Sequence, residues 1–533
     1  MSTEAPRPHV REQLLARADD DHDGLLFAEQ RWSWREVVVA SATRSAILSE
    51  LLPPGAPPHV GVLLDNVPEF AFLLGGAALG GQVVVGLNST RRGEALARDI
   101  ARADVQVVLT ESAHADLLAG LDLPVPVIDV ESEQWADLVA AHDHAAVPDA
   151  VVGPESLFML IFTSGTSGDP KAVRVTHEKV AYPGQFLSER FGLGPDDVAY
   201  LSMPMFHSNA VMAGWGPALA AGTTVALARR FSASGFLPDV RRFGATYANY
   251  VGKPLAYVMA TPESDDDADN PLRLVFGNEA NEGDIEAFGR RFGCTVVDSY
   301  SSTENAVIVQ RLPGMPPGSL GRPVDGVAVL DPETMQPTAD AVFDGAGRLL
   351  NVDEATGELV NTLGAGAFAG YYNDTDAEAE RMRGGMYWSG DLAYRDAEGW
   401  VYFAGRTADW LRVDGENLAA APIERVLLRN PAVSEAAVYA VPDPQGGDRV
   451  VAALRLAGSL DVDDLEPFLA GQADLSPKAW PTYVRIVDDL PRTATNKVLK
   501  RELTLLGIDD VAGVTWEREP RGTAYAVRAT APR

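Results

Sequence analysis

One cysteine, Cys294, stands in 533 residues. That scarcity excludes an intramolecular disulfide and any cysteine-rich metal centre, and a reducing cytoplasmic compartment is the expectation. Basic residues are also few: 44 Lys and Arg against 75 Asp and Glu leave a net charge of −31, which disfavours nucleic acid or anionic membrane as a partner. Any anion-binding site must therefore be built locally. Long apolar runs are missing too. A long uncharged stretch, between Glu69 and Arg91, is broken by Gly75, Gly76, Gly80, Gly81, Gln82, Gly86 and Asn88, so it predicts a buried helix, a glycine turn and a strand over 83–85, with no transmembrane segment. The first residues are polar and lack a signal-peptide core, so no export is expected.

What is present is ordinary globular composition, 46% apolar and 22% charged, at a length that calls for two or more domains. From about residue 25 to 300, helical patterns alternate with short β runs at 59–64, 105–109, 223–227, 272–276 and 295–297, the signature of an α/β layered domain. The acidic segment 261–270 reads as an exposed loop. Residues 313–404 turn to Gly/Pro-punctuated β runs and predict a β-rich subdomain closing a large N-terminal domain over 1–405. Residues 406–533 predict a small α+β domain, with helices at 423–428 and 462–469 and strands at 436–441 and 450–454.

The strongest chemical signal is the apolar strand Phe158-Met-Leu-Ile-Phe162 running into Thr163-Ser-Gly-Thr-Ser-Gly-Asp-Pro-Lys171. Gly165 and Gly168 allow a tight turn in which successive N–H groups converge on an anion. Thr163, Ser164, Thr166 and Ser167 add hydroxyls, and Lys171 adds charge. The pattern reads as a grip for ATP phosphates without the usual P-loop spacing. A solvated Ser/Gly turn is the alternative, disfavoured by the apolar strand before it and the β run 172–175 after it. Tyr300-Ser-Ser-Thr-Glu304 follows a strand and offers an aromatic face, a hydroxyl and a carboxylate suited to a hard cation. Further on stand Tyr387-Trp-Ser-Gly-Asp391, Gly405-Arg406 ahead of Asp409 and Asp414-Gly-Glu-Asn417, and Pro491-Arg-Thr-Ala-Thr-Asn-Lys497.

These five motifs, in this order and spread over almost the whole chain, resemble the AMP-forming adenylating enzymes: acyl-CoA synthetases, aryl-CoA ligases and adenylation domains. The segment 405–417 looks most like the fatty-acid and very-long-chain acyl-CoA synthetase branch. The resemblance implies an α/β N-terminal domain with a mobile C-terminal domain, and a reaction in which ATP and Mg2+ activate a carboxylic acid as its adenylate before transfer to CoA. It implies that residues 163–171 hold the β- and γ-phosphates, with Thr166 and Glu304 at the metal. Gly277, Asn278, Glu279 and Tyr300 would border the adenine, Thr303 would contact the α-phosphate, and Asp391, supported by Arg406, would take the ribose. Lys497 would neutralise the substrate carboxylate and α-phosphate, and Gly415 would line the CoA tunnel. Met203-Pro-Met-Phe-His-Ser-Asn209 resembles the segment beside the acyl carboxylate and puts His207 there, against the plainer reading of a structural histidine.

Three positions depart from the family pattern: Ser301 and Asn305 where glycines are common, and Ala408 where the hinge is often Asp or Lys. If Ser301 and Asn305 border the acyl tunnel, a shorter, aromatic or more polar acid is implied. The same departures admit an alternative within the superfamily, a diazotase that activates nitrite and transfers it to an aryl amine. Lower alternatives are a carrier-loading adenylation enzyme and a non-catalytic nucleotide-binding relative. A homodimer is compatible with all of these readings.

Overall fold

Continuous apolar runs become strands buried on both faces, and their order in the chain builds two parallel sheets. The computed structural model describes residues 7–163, 170–280, 282–312, 314–345, 349–406, 410–413, 416–442, 448–472, 475, 477–492, 498–508, 514–518 and 522–528. The chain divides into two compact units, Met1–Asn305 with Ala367–Ala379, and Ala306–Gly366 with Glu380–Arg533.

In the first unit, a six-stranded sheet runs in the order Val127–Asp129, Val107–Thr110, His59–Leu63, Val83–Gly86, Leu157–Thr163, Lys171–Thr176. Every pairing is parallel except the last, which is antiparallel and sets Thr163 opposite Lys171. A seven-stranded sheet runs Thr295–Asp298, Leu274–Asn278, Tyr247–Val251, Val198–Leu201, Thr224–Leu227, Asp23–Phe27, Gln30–Ser33, antiparallel only in the terminal hairpin. The glycine-rich stretch after Glu69 forms the helix Pro68–Gly80, a left-handed Gly81 at φ 77° and the strand Val83–Gly86, as its composition predicts. Among the described residues, no helix is long and apolar enough to cross a membrane.

The acidic loop at 261–270 is not uniformly exposed. Asp267 is buried, where it accepts from the Ser264 N–H (3.1 Å) and from Arg291 Nε (2.6 Å), so one carboxylate of the run is a structural anchor.

In the second unit, strands Val327–Leu330, Gly357–Asn361, Met386–Arg395 and Val401–Arg406 pair antiparallel. A separate sheet, Val433–Pro442, Asp448–Leu456, Tyr483–Ile486, Val514–Arg518, Tyr525–Val527, packs with the helices Ala420–Leu427 and Val462–Ala470. These are the elements expected for the small α+β region.

Candidate active site

Three loops leaving the carboxyl ends of parallel strands carry the first unit's candidates. Residues 202–208 follow the strand Val198–Leu201, Glu279 follows Leu274–Asn278, and residues 299–304 follow Thr295–Asp298. Parallel strands deliver their following loops to one edge, which is where open α/β sheets place ligands.

Thr303 Oγ1 lies 3.0 Å from Ser208 Oγ, so the segment bearing His207 and the segment bearing Glu304 are stitched together. Asn278 is buried and donates to Ser299 O (2.6 Å) and Ser299 Oγ (2.9 Å), fixing the start of the Tyr300 loop. Gly277 is dictated by packing: a Cβ there would collide with the Tyr250 carbonyl oxygen and ring. Glu279, at φ 69°, is exposed, and Tyr300 is half-buried. His207 is half-buried, with its ring 4.4 Å from that of Phe206.

Glu304 is buried, and its Oε1 accepts from Tyr371 Oη at 2.9 Å. Tyr371 owes its place to the strand Lys171–Thr176: it bridges antiparallel to Val173, while the Arg174 N–H donates to Gly370 O and the Tyr372 N–H to Ala172 O. The first residue of that strand, Lys171, is buried with Nζ 5.4 Å from the Tyr371 ring centroid, a cation–π distance. Lys171, Tyr371 and Glu304 therefore form one cluster. A single buried carboxylate is the kind of hard oxygen donor magnesium takes alongside phosphate oxygens and water, so the residues present fit that ion. Ser164, Gly165, Thr166, Ser167 and Gly168 lie outside the described residues.

In the second unit, the strand register puts Asp391 directly opposite Arg406. Asp391 is buried, its N–H donates to Ser389 Oγ (3.0 Å), and the neighbouring Gly390 N–H donates to Glu358 Oε1 (2.7 Å). Glu358 is itself buried and paired with Arg383 at 2.8 Å. Burial pushes its carboxyl above the usual range, while the Gly390 N–H and the two arginines Arg383 and Arg381 oppose that shift. Ala408, Gly415 and Lys497 lie outside the described residues. On either side of residues 493–497, Arg492 and Val498 form an antiparallel bridge. Arg492 is paired with Glu435 and Lys500 with Glu424 (2.8 Å), so these basic residues are anchored in the fold instead of forming a solvated tail.

Sequence reasoning missed several residues that hold the candidates in place. Buried Asn66 donates to Met203 O (2.9 Å) and Ala228 O (3.1 Å) and accepts from the Met205 N–H (2.9 Å), fixing the stretch that leads to His207. Its neighbour Asp65 belongs to a cluster with Glu111 and His114 whose ligand atoms lie within 4.8 Å of one another, but Arg229 closes that cluster at 2.6 Å from Glu111. Arg229 offsets carboxylate charge there, and its carbonyl accepts from the Asn66 N–H at 3.2 Å. Asn209 opens a π-helical stretch, Asn209–Trp215, accepts from Asn249 Nδ2 (2.7 Å) and donates to Tyr250 O (2.8 Å). The wider π turn, frequent at functional sites, was invisible in a run as plain as Asn-Ala-Val-Met-Ala-Gly-Trp. Tyr371 had a readable signal in Gly370-Tyr-Tyr-Asn373, a glycine at φ 90° turning an aromatic pair.

Asn305 adopts φ 51°, and its N–H donates to Ser302 O at 3.1 Å. Glycine and asparagine are the residues that best tolerate this left-handed conformation, so asparagine at 305 answers a turn requirement. Ser301 is exposed.

The described residues thus place Thr163 opposite Lys171 on paired strands and a buried Glu304 held by Tyr371 in the first unit, and Asp391 opposite Arg406 in the second. The AMP-binding enzyme profile matches residues 13–372, and the AMP-binding enzyme C-terminal domain profile matches residues 422–497. The chain belongs to the AMP-binding enzyme family. It is 54% identical over 504 residues to the medium/long-chain-fatty-acid–CoA ligase FadD17 of Mycobacterium marinum, covering 94% of this chain and 97% of that one. It is 49% identical over 507 residues to the steroid-22-oyl-CoA synthetase of Rhodococcus jostii, covering 94% and 91%. Among solved structures, ATP-bound MatB from Rhodopseudomonas palustris shares the fold at TM-score 0.79 and 23% identity, covering 93% of this chain and 99% of that chain.

Proposed function

We propose that the chain is an ATP-dependent, AMP-forming ligase that activates a carboxylic acid as its acyl-adenylate, releases pyrophosphate and transfers the acyl group to the thiol of CoA. The observation that carries this reading is the cluster of Lys171, Tyr371 and Glu304 at the phosphate-loop strand, in a chain about half identical to two CoA-thioester-forming relatives over 94% of its length.

A carboxylate attacking the α-phosphorus of ATP brings two anions together, so positive charge and fixed donors must face them. Lys171 brings charge to the triphosphate, Thr303 presents a hydroxyl to the α-phosphate, and Lys497 meets both anions. Magnesium, when bound at Glu304, supplies charge neutralisation on the phosphates. Tyr371 and Asn66 act one step back: the first orients Glu304, the second fixes the segment of His207. Asp391 takes the ribose hydroxyls, with Arg406 opposite it. Residues 163–168 grip phosphate, Gly277 to Glu279 and Tyr300 border the base, and Gly415 lines the CoA path. A mobile segment over 406–533, moving as a smaller body within the second unit, would give Lys497 a way to leave after adenylation and would shelter the mixed anhydride from water in the first step.

The relatives' names favour a medium/long-chain aliphatic or steroid side-chain carboxylate. No observation supports the alternative of nitrite passed to an aryl amine: both named relatives make CoA thioesters, and Asn305 is accounted for by its turn. The chemistry suits a cytoplasmic enzyme, where ATP and CoA are at hand.

The deciding experiment is pyrophosphate release with ATP and magnesium across medium- and long-chain fatty acids, steroid side-chain acids, aryl acids and nitrite with an aryl amine, each with and without CoA, products identified by mass. A CoA thioester from one acid class is expected. Release that needs nitrite and amine, or an adenylate that no CoA discharges, overturns the reading.

A further inference from the structure

Asparagine side chains are mostly exposed, because a carboxamide withdrawn from water needs a partner for each polar atom. Three of them meet inside the first unit: Asn209 is 8% exposed, Asn249 3% and Asn278 7%. Asn209 Nδ2 donates to Tyr250 O (2.8 Å) and to Asn278 Oδ1 (3.4 Å), and Asn278 Nδ2 donates to Ser299 O (2.6 Å). Asn249 Nδ2 donates to Asn209 Oδ1 (2.7 Å).

The direction of this relay is forced from the main chain. A carbonyl oxygen only accepts, so Tyr250 O and Ser299 O dictate which end of Asn209 and of Asn278 is the NH2 group. Asn209 Oδ1 is left to accept, which commits the Asn249 NH2 to it. Asn249 Oδ1 then has no hydrogen-bond partner among the described residues, and it stands 3.1 Å from the point a Cβ on Gly214 of the π-helical stretch would occupy. An orphaned buried acceptor is destabilising, so stability alone does not account for the relay.

Its place in the chain supplies another account. Asn209 follows directly on His207 and Ser208, whereas Asn278 ends the strand before Glu279 and, through Ser299, holds the start of the Tyr300 loop. The side chain of Asn209 therefore ties the segment assigned to the acid carboxylate to the segments assigned to the adenine. A second tie, Ser208 Oγ to Thr303 Oγ1, joins two hydroxyls on half-buried residues, where water competes for both.

We propose that Asn209 is a positioning residue that couples the two halves of the site: a nucleotide seated against Asn278 and Tyr300 orders residues 203–208, and so readies the acid side. The inference rests on the adenylating reading above for where base and acid lie. Asn209 acts through Asn278 and not on the reacting atoms.

The test is hydrogen–deuterium exchange on the full chain with AMP alone as the probe. In the native protein AMP should slow exchange about tenfold in residues 299–304 and also in 203–208. Asn209→Leu, close in size and without polar atoms, should keep the first effect and lose the second; slowing that persists at 203–208 overturns the proposal. No slowing in either segment of the native protein overturns the adenylating reading and the inference with it, whereas slowing at 299–304 alone overturns the coupling and leaves that reading standing. Asn209→Leu leaves the Asn249 NH2 and Tyr250 O short of a partner, so its Tm should fall. Adding Asn249→Leu removes one of those groups and the orphaned oxygen, and should recover part of the Tm while the coupling stays lost. That double variant carries the test where the single one fails to fold. Coupling that returns with the Tm makes Asn209 a purely structural residue and overturns the proposal. Ser208→Ala should leave the slowing at 203–208 in place; its loss there, with Asn209→Leu behaving as the native protein, assigns the coupling to the hydroxyl pair and overturns it too.

Discussion

The two units place functional groups by different geometries. In the first, strands such as His59–Leu63, Val83–Gly86 and Val107–Thr110 are buried at every position, as parallel strands covered on both faces must be. Parallel strands discharge their loops at one edge, so residues far apart in sequence, Ser208 and Thr303, come within 3.0 Å. In the second, the strand Val433–Pro442 mixes buried and exposed positions, and Asp391 meets Arg406 by facing it across an antiparallel pair. A parallel sheet gathers a site from many loops; an antiparallel pair presents one from two neighbouring strands. Damage should therefore spread differently: a gathered site loses its chemistry, and a strand-pair site loses affinity.

The largest expected effect tests the motif at 491–497. Lys497→Ala should lower adenylate formation by about 10²–10³, the range for removing one donor to developing charge, while ATP still binds. Pyrophosphate exchange at normal rates in that variant would remove Lys497 from the chemistry. For the gathered site, Glu304→Gln keeps the shape of the side chain and loses one charge. Charged hydrogen-bond partners contribute ~1.5–3 kcal/mol, so turnover should fall about ten- to hundredfold with a higher magnesium requirement. An unchanged magnesium titration would detach Glu304 from the metal.

Much of this was legible in the chain because each signal was local. The apolar run 158–162 with its glycine loop and lysine announces strand, turn and charge at once, and the alternation of 436–441 with 450–454 announces a paired sheet. What was not legible depends on contacts distant in sequence. Nothing near Tyr371 says that it will lie along the strand Lys171–Thr176 and reach Glu304, a partner 67 positions away. Asn305 was legible in type but not in cause, since a substitution for glycine can mean lost space or a left-handed turn, and only the backbone angle separates them.

A third prediction concerns the support beneath the gathered site. His177, the first residue of the helix His177–Phe191, is fully buried with neither ring nitrogen hydrogen-bonded among the described residues. Burial, with His9 and Arg11 nearby, pushes it down to about 3 from 6.5. A base whose folded value is depressed binds fewer protons folded than unfolded between those values, so its contribution is intact above about 6.5 and falls away as the pH drops toward 3. At pH 5 the loss is about 2 kcal/mol relative to pH 7.5. His177→Leu, which cannot take a proton, should unfold in urea with a correspondingly smaller acid sensitivity. Equal acid sensitivity in the two proteins would assign that loss of stability to other groups.

The smallest effect belongs to the strand-pair site. Asp391→Asn retains an acceptor oxygen and the local shape, because the Asp391 N–H to Ser389 Oγ and the Gly390 N–H to Glu358 Oε1 are backbone bonds that the substitution leaves in place. In the ribose-binding role proposed for Asp391, it would lose the charge that strengthens bonds from hydroxyls, roughly a doubling over a neutral acceptor. The KM for ATP should rise about tenfold, corresponding to ~1.4 kcal/mol, with kcat within about threefold, since the ribose contact is made equally in ground and transition states. A fall in kcat with KM unchanged would mean that Asp391 acts on the reacting atoms, and the distinction between a site gathered by loops and one presented by a strand pair would fail at its own test residue.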